Sequence, residues 1–473
     1  MLKKSYRNIF IMLLIAALVT SISGCSASKA EHLSLGCNYS IDARLDPYSK
    51  TLLFTEQAQI QNNGEADARE LYFHLYGNFY QTETESIKVI SITDDEGNAV
   101  KYSMEDSDQL IRVTLNKALK GTAETALIFN CEVTIPMMEN RYGVARDGEI
   151  HLPFFYPQLA VHDKNGWNIE PMTDIGDGRY AGVSDYTLRI AAPSEYEVIC
   201  NADELTREKD DNTTVYTFKA ASRRDLVFFA FTDYVHMERT VGKTRILGYF
   251  NSSRSQISME KVMEATAFSL ELFNRIYVEY PYEALIITNG AWGIKSAQGG
   301  MEYSGAATVM LGKEDSGSFD FIDVAFHELA HQWFYSLVGN DENAEPWLDE
   351  GFATFSQWLC LLEWVQVNNI DDFDLDGYWE GVIQLGANAV DGIPINSAHD
   401  EVEVYSWVFY NRAACFLREL MDTIGEDAFL SIISEYCNMY AFKNAATQDF
   451  LELLQERTPV NVDAVIDRYI AID

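Results

Sequence analysis

An α+β chain of two domains, a largely antiparallel β half followed by a helix-rich half, is what this sequence predicts, and three observations predict it. At 473 residues, 47% of them hydrophobic and 13% aromatic, the chain exceeds what one core usually organises and has the material for two. From about residue 33 to 240, apolar residues alternate or run in short bursts between Gly, Asn, Asp and Pro, which is the period of strands. After about residue 245 the apolar spacing turns helical, with repeats at three and four residues.

Taken in order, the first element is not part of the fold. Lys3, Lys4 and Arg7 precede the apolar run "IFIMLLIAALV", Ile9 to Val19, about the length of a signal-peptide core and short for a membrane span. "ISGC", Ile22 to Cys25, resembles the bacterial lipobox. A signal peptide over 1–24, a lipid on Cys25, a tether over 25–34 and an extracytoplasmic chain anchored to the cell membrane are the expectation. Removing that leader takes the formal charge from −37 to about −40, a surface that excludes nucleic-acid binding and keeps the chain soluble.

Strands follow in "TLLFTEQAQIQN", "ESIKVISITDD", "QLIRVTLNKAL", "TALIFNCEVTIP", "DYTLRIAAP", "EYEVICNADEL" and "TVYTFKAAS", so 35–240 is assigned as a β domain. One more strand, "KTRILGYF", opens the second half. The helices there are "SMEKVMEATAFSLELFNRIY", "FDFIDVAFHELAHQWFYSLV" and "SWVFYNRAACFLRELMDTIG", and the second domain is assigned to 241–473. No Pro-rich linker separates the halves, which predicts direct packing near residues 236 to 245. Cysteines occur at 25, 37, 131, 200, 360, 415 and 437, with no C-x-x-C pair, and no bridge is assigned.

The chemistry concentrates in "FHELAHQWFYSLVGNDENAEPWLDEGFATF", residues 326 to 355. His327 and His331, four apart on a predicted helix, bring both imidazoles to one face at about 5–6 Å between Cβ atoms. Glu328 beside them completes H-E-x-x-H, in which two neutral imidazoles hold Zn²⁺ and the glutamate takes a proton from water. Two hydrogen-bonded histidines in a buried helix are the bland alternative, and a third ligand separates the two. Position 337 is Leu, which excludes the three-histidine metzincin pattern. Asp341, Glu342 and Glu345 occupy a polar, turn-like stretch, whereas Glu350 lies in a fresh apolar segment. One Zn²⁺ per chain on His327, His331 and Glu350, with an open position for water, is the expectation.

H-E-x-x-H, eighteen residues and then Glu within "WLDEGFA" resembles the gluzincin aminopeptidases, the family of aminopeptidase N and leukotriene hydrolase. "GGMEY", Gly299 to Tyr303, is similar to that family's G-x-M-E-N motif, with Tyr303 in place of Asn. The resemblance implies that Gly299, Gly300 and Met301 present an edge-strand backbone to the peptide, and that Glu302 binds its free α-amine. "YSWVFYNRAACFLREL" resembles the segment that carries the family's catalytic tyrosine, which implies that role for Tyr410 and a lesser one for Tyr405. The likeness extends to "YPQLAVHDKNGW" and "DYTLRIAAPSEYEV" in the β half.

What the resemblance implies is a thermolysin-like zincin domain behind the β domain and a zinc aminopeptidase acting on peptides with a free N-terminus. It also implies a short member without the large C-terminal helical domain, and hence a more open cleft. A zinc endopeptidase on the same scaffold is the alternative, and a catalytically silent peptide-binding lipoprotein is a second. His162 and His399 are expected at the surface.

Overall fold

The computed structural model describes residues 33–471 apart from 81–85, 139–140, 147, 177, 291–298, 312–319 and 371–372. The leader over 1–24 and Cys25 lie outside the described residues. In the first half, alternating apolar residues build a seven-stranded sheet from β1 (Leu35–Asp46), β2 (Thr51–Asn62), β3 (Ile87–Asp94), β4 (Glu124–Thr134), β5 (Ser184–Pro193), β6 (Glu204–Lys209) and β7 (Thr213–Arg223), in the order β6-β7-β5-β1-β2-β4-β3. All neighbours are antiparallel except β1 and β5. Burial alternates strictly along β1 and β2, so one register fixes which residues enter the core. That core holds Ile41, Phe54 and Phe129 from this sheet, with Phe73 and Ile111 from a four-stranded sheet facing it.

A third sheet joins the halves. Its strand Val227–Phe231 is buried at every residue, and its two faces serve different cores. Phe228 and Ala230 enter the β-domain core. Val227, Phe229 and Phe231 meet Ile286, Met301 and Tyr303 of the second half. A run apolar at every position is what a strand needs when neither face sees water. The fully buried Arg224 closes the joint, donating to the carbonyls of Ala181 at 3.0 Å, Ser336 at 3.1 Å and Lys443 at 2.7 Å.

The second half opens with β8 (Tyr234–Val241), β9 (Thr244–Asn251), β10 (Ala284–Asn289), β11 (Gly300–Tyr303) and β12 (Ala306–Val309), which form one sheet in the order β8-β9-β10-β12-β11. The division read from the sequence at 240/241 therefore falls at the end of β8, whereas the sheets divide between Phe231 and Tyr234. A strand of alternating polarity carries no mark of which sheet will take it.

Against this sheet pack α1 (Gln256–Ile276), α2 (Asp320–Ala330) and α3 (Trp347–Val367), then α4 (Ala413–Ile424). Ser255 caps α1, its side chain accepting from the Ser258 N–H at 3.2 Å, and Gly425, at φ 98°, ends α4, a conformation that suits glycine. The apolar stripe through Trp333 and Leu337 predicts a longer α2 than forms. The helix stops at Ala330, and residues 331–337 turn tightly around Tyr335, which has φ 125°. All six described cysteines are free and buried.

Candidate metal centre and substrate cleft

Two helices supply the centre. α2 carries His327 and Glu328, and His331 follows one residue past its end. Asp349 and Glu350 stand in the first turn of α3, where the positive end of the helix dipole favours carboxylates. His327 Nε2 lies 3.2 Å from Glu350 Oε2, His331 Nε2 lies 3.4 Å from the same oxygen, and the two Nε2 atoms are 3.1 Å apart.

The remaining ring nitrogens show where one hydrogen of each ring sits. His331 Nδ1 faces Asp349 Oδ1 at 2.6 Å and the Phe334 carbonyl at 3.1 Å, and His327 Nδ1 faces Gln357 Oε1 at 3.1 Å. These are acceptors, so both Nδ1 atoms carry hydrogen, and in the neutral imidazoles both Nε2 atoms then present lone pairs. Two lone pairs and a carboxylate oxygen converging at 3.1–3.4 Å repel one another unless a cation stands between them. A tetrahedral ion with bonds of about 2.0–2.2 Å separates its ligand atoms by about 3.3–3.6 Å, within a few tenths of an ångström of the spacing found, so the three donors fit a zinc ion in spacing and in chemistry.

Around this centre is a cavity of about 290 Å³ whose walls include Gly299, Gly300, Met301, Glu302, Glu328 and Tyr410. Glu328 packs so closely on β11 that a Cβ on Gly300 would come within 2.5 Å of its Cγ; any other residue there would displace the glutamate. Glu302 follows on the same face, and ligand atoms of Glu302, Glu328 and His331 lie within 4.8 Å of one another. β11 is the edge of its sheet, with its outer side available for another strand.

Tyr410 lies in a π-helical stretch, Trp407–Arg412, which runs straight into α4. Helical periodicity predicts one continuous helix here, and the extra residue per turn is what a local pattern misses; such insertions recur at functional sites. The Tyr410 ring stacks on His327 at 5.5 Å, and its hydroxyl donates to Glu350 Oε1 at 2.5 Å. Tyr405 stands behind it, 6.2 Å between centroids, with its hydroxyl end against Gly176 of the β half. Tyr303, which replaces the expected Asn, is 1% exposed and packs on Phe154 and Phe229, away from the helices. His399 is buried, not exposed as expected, because a segment of the β half covers it and Thr173 Oγ1 meets its Nε2 at 3.3 Å. His162 is half-buried.

Four contributors carry no sequence signal of their own. Asp349 and Gln357 orient the imidazoles, and Arg179 and Arg141 reach the site from the β half. Arg179 donates to Glu302, and Arg141 lines the cavity beside Met301.

Residues 258–469 match the peptidase family M1 domain, a stretch that contains all the metal-site and cleft residues named from the sequence. Glutamyl aminopeptidase of Sus scrofa is 26% identical over 298 residues, covering 60% of this chain and 31% of the relative. Aminopeptidase 2, mitochondrial, of Saccharomyces cerevisiae is 28% identical over 217 residues, covering 43% of this chain and 22% of the relative. The chain thus spans about a third or less of these relatives' length. Among solved structures, an M1 zinc metallopeptidase from Deinococcus radiodurans superposes with a TM-score of 0.67 at 16% identity, covering 93% of this chain and 96% of that one, which establishes the shared two-domain fold. The motif residues gathered at this centre all fall within the matched stretch, so residues 258–469 are similar to the peptidase family M1 domain.

Proposed function

We propose that this protein is a zinc-dependent aminopeptidase that removes N-terminal residues from peptides. The observation that carries the reading is the convergence of three lone-pair donors, His327, His331 and Glu350, beside a carboxylate on an edge strand, Glu302. A zinc ion held by those three would supply Lewis acidity, acidifying water and polarising the scissile carbonyl.

The chain's own residues do the rest. Glu328 takes a proton from the attacking water and returns it to the leaving amine. Tyr410, whose hydroxyl is already at the Glu350 carboxylate, turns its hydrogen bond to the oxyanion that develops on the carbonyl, where it is worth more than in the ground state. Glu302 pairs with the substrate's α-ammonium, a charge-assisted contact that sets cleavage one residue in.

The test uses the chain beginning after Cys25 with matched peptides bearing free and N-acetylated termini, before and after zinc chelation. Chelator-sensitive cleavage confined to free amines is expected. Equal cleavage of acetylated peptides would favour the endopeptidase, and no cleavage by the zinc-loaded chain would favour the silent binding protein.

Export and acylation at Cys25 belong to the same proposal, which would place the cleft outside the cell membrane, tethered by lipid. The basic, apolar and "ISGC" order of the leader supports it. Incorporation of a labelled fatty acid that persists in Cys25→Ser would refute it.

A further inference from the structure

Glu302 does not stand alone. Its carboxylate and that of Glu342 are the partners of Arg179, whose side chain is 1% exposed and belongs to the β half. The guanidinium Nη2 donates to Glu302 Oε1, Nη1 donates to the Tyr335 hydroxyl at 3.2 Å, and Nε stands 3.4 Å from Glu342 Oε2. The plane lies between two rings, 5.1 Å from the centroid of Phe154 and 4.7 Å from that of Tyr335. The backbone is pinned as well: the Arg179 N–H donates to Glu342 Oε2 at 3.2 Å, and its carbonyl accepts the Glu342 N–H at 3.2 Å.

The network continues to the far end of the strand. Tyr335 donates to Asp225, and Asp225 in turn accepts the backbone N–H of Ser304 at 3.1 Å, one residue past β11. The strand that lines the cleft is therefore gripped at Glu302 by a guanidinium and at Ser304 by a carboxylate, both within one buried network.

The charges explain why a cation is needed there. Glu302, Glu328 and Glu350 are all buried at one small cavity, and like charges at such range destabilise one another. A planar, permanently charged fork satisfies one oxygen and fixes the plane of the carboxylate in a way that a single-point cation does not.

We propose that Arg179 is the positioning residue for substrate recognition: reaching across from the β half, it holds Glu302 oriented so that its carboxylate receives the α-ammonium. This rests on the reading of Glu302 as the amine anchor. It makes the β domain a part of the exopeptidase register and not only a support.

The test compares two ligands that differ only in the amine. Alanine hydroxamate and propionohydroxamate both bind zinc, and their affinities for the zinc-loaded full-length chain are measured by calorimetry. The wild type is expected to prefer the amine-bearing ligand by roughly ten- to a hundredfold, the range of a hydrogen bond to a charged group. Arg179→Met is expected to lose most of that preference at unchanged affinity for propionohydroxamate.

A variant that keeps the full preference, or one that loses both ligands equally, overturns the positioning role. A wild type without preference overturns the amine anchor itself, so the two failures are told apart. Should Arg179→Met not fold, Arg179→Lys carries the test: reduced preference with unchanged propionohydroxamate affinity supports the role, and full preference overturns it.

Discussion

Buried carboxylates occur in both halves of this protein, and they live under different rules. Glu56 points from β2 into the β-domain core, 0% exposed, and neither of its oxygens meets a donor. Burial pushes its carboxyl well above the ordinary value, towards the neutral form. Around the cleft, Asp225, Glu302, Asp349 and Glu350 are as deeply buried, yet each accepts from a named partner: Tyr335, Arg179, His331 and Tyr410. Burial alone raises a carboxyl, whereas donors oppose the rise and aim the group; at Asp225 and Asp349 burial still prevails, with Asp349 pushed up to about 7.

The comparison breaks first at Glu328, the general base of the proposed reaction. Glu328→Gln is expected to lower turnover by about 10²–10⁴-fold, the share of a positioned general base, with zinc content unchanged by elemental analysis. Activity near wild type would mean that the proton goes elsewhere.

Asp349 tests the partnered set by its effect on a neighbour. Asp349→Ala leaves the Nδ1 hydrogen of His331 with the Phe334 carbonyl alone. Zinc affinity, measured against a competing chelator, is expected to fall about 10–100-fold, and unchanged affinity would show that the carboxylate does not hold the ring.

The smallest effect is expected in the β core, with the opposite sign. The folded chain binds the Glu56 proton more tightly than the unfolded chain, so its contribution favours folding at low pH and is lost as pH rises from about 4.5. Glu56→Met is expected to stabilise the protein by about 1 kcal/mol at neutral pH, with the gain shrinking towards about pH 4. A melting temperature that drops at neutral pH would show that Glu56 has a partner after all.

Elements governed by local spacing are legible in the sequence alone. The alternation in β1 and β2, the helix α1 with its Ser255 cap, and the four-residue spacing of His327 and His331 all follow from repeats within a dozen residues. The end of α2 at Ala330 is not legible, because its apolar stripe continues to Leu337; the turn that replaces it puts the Tyr335 hydroxyl against Arg179, a contact across 156 residues. The π-helical stretch at Tyr410 escapes for a related reason, since one inserted residue shifts the face without altering composition. Asp349 offers only an acid in an apolar run, and Gln357 not even that.

By itself, the sequence determined the kinds of residue present, the division into a strand-rich and a helix-rich half, and the three donors that converge at the candidate metal centre, because periodicity and motif spacing are local properties. Tertiary structure alone decided which acids are charged and which segment of the β half reaches the cleft. Those depend on burial and on partners more than a hundred residues apart: Arg179 and Glu302 are separated by 123 positions, and no local pattern encodes a meeting at that distance.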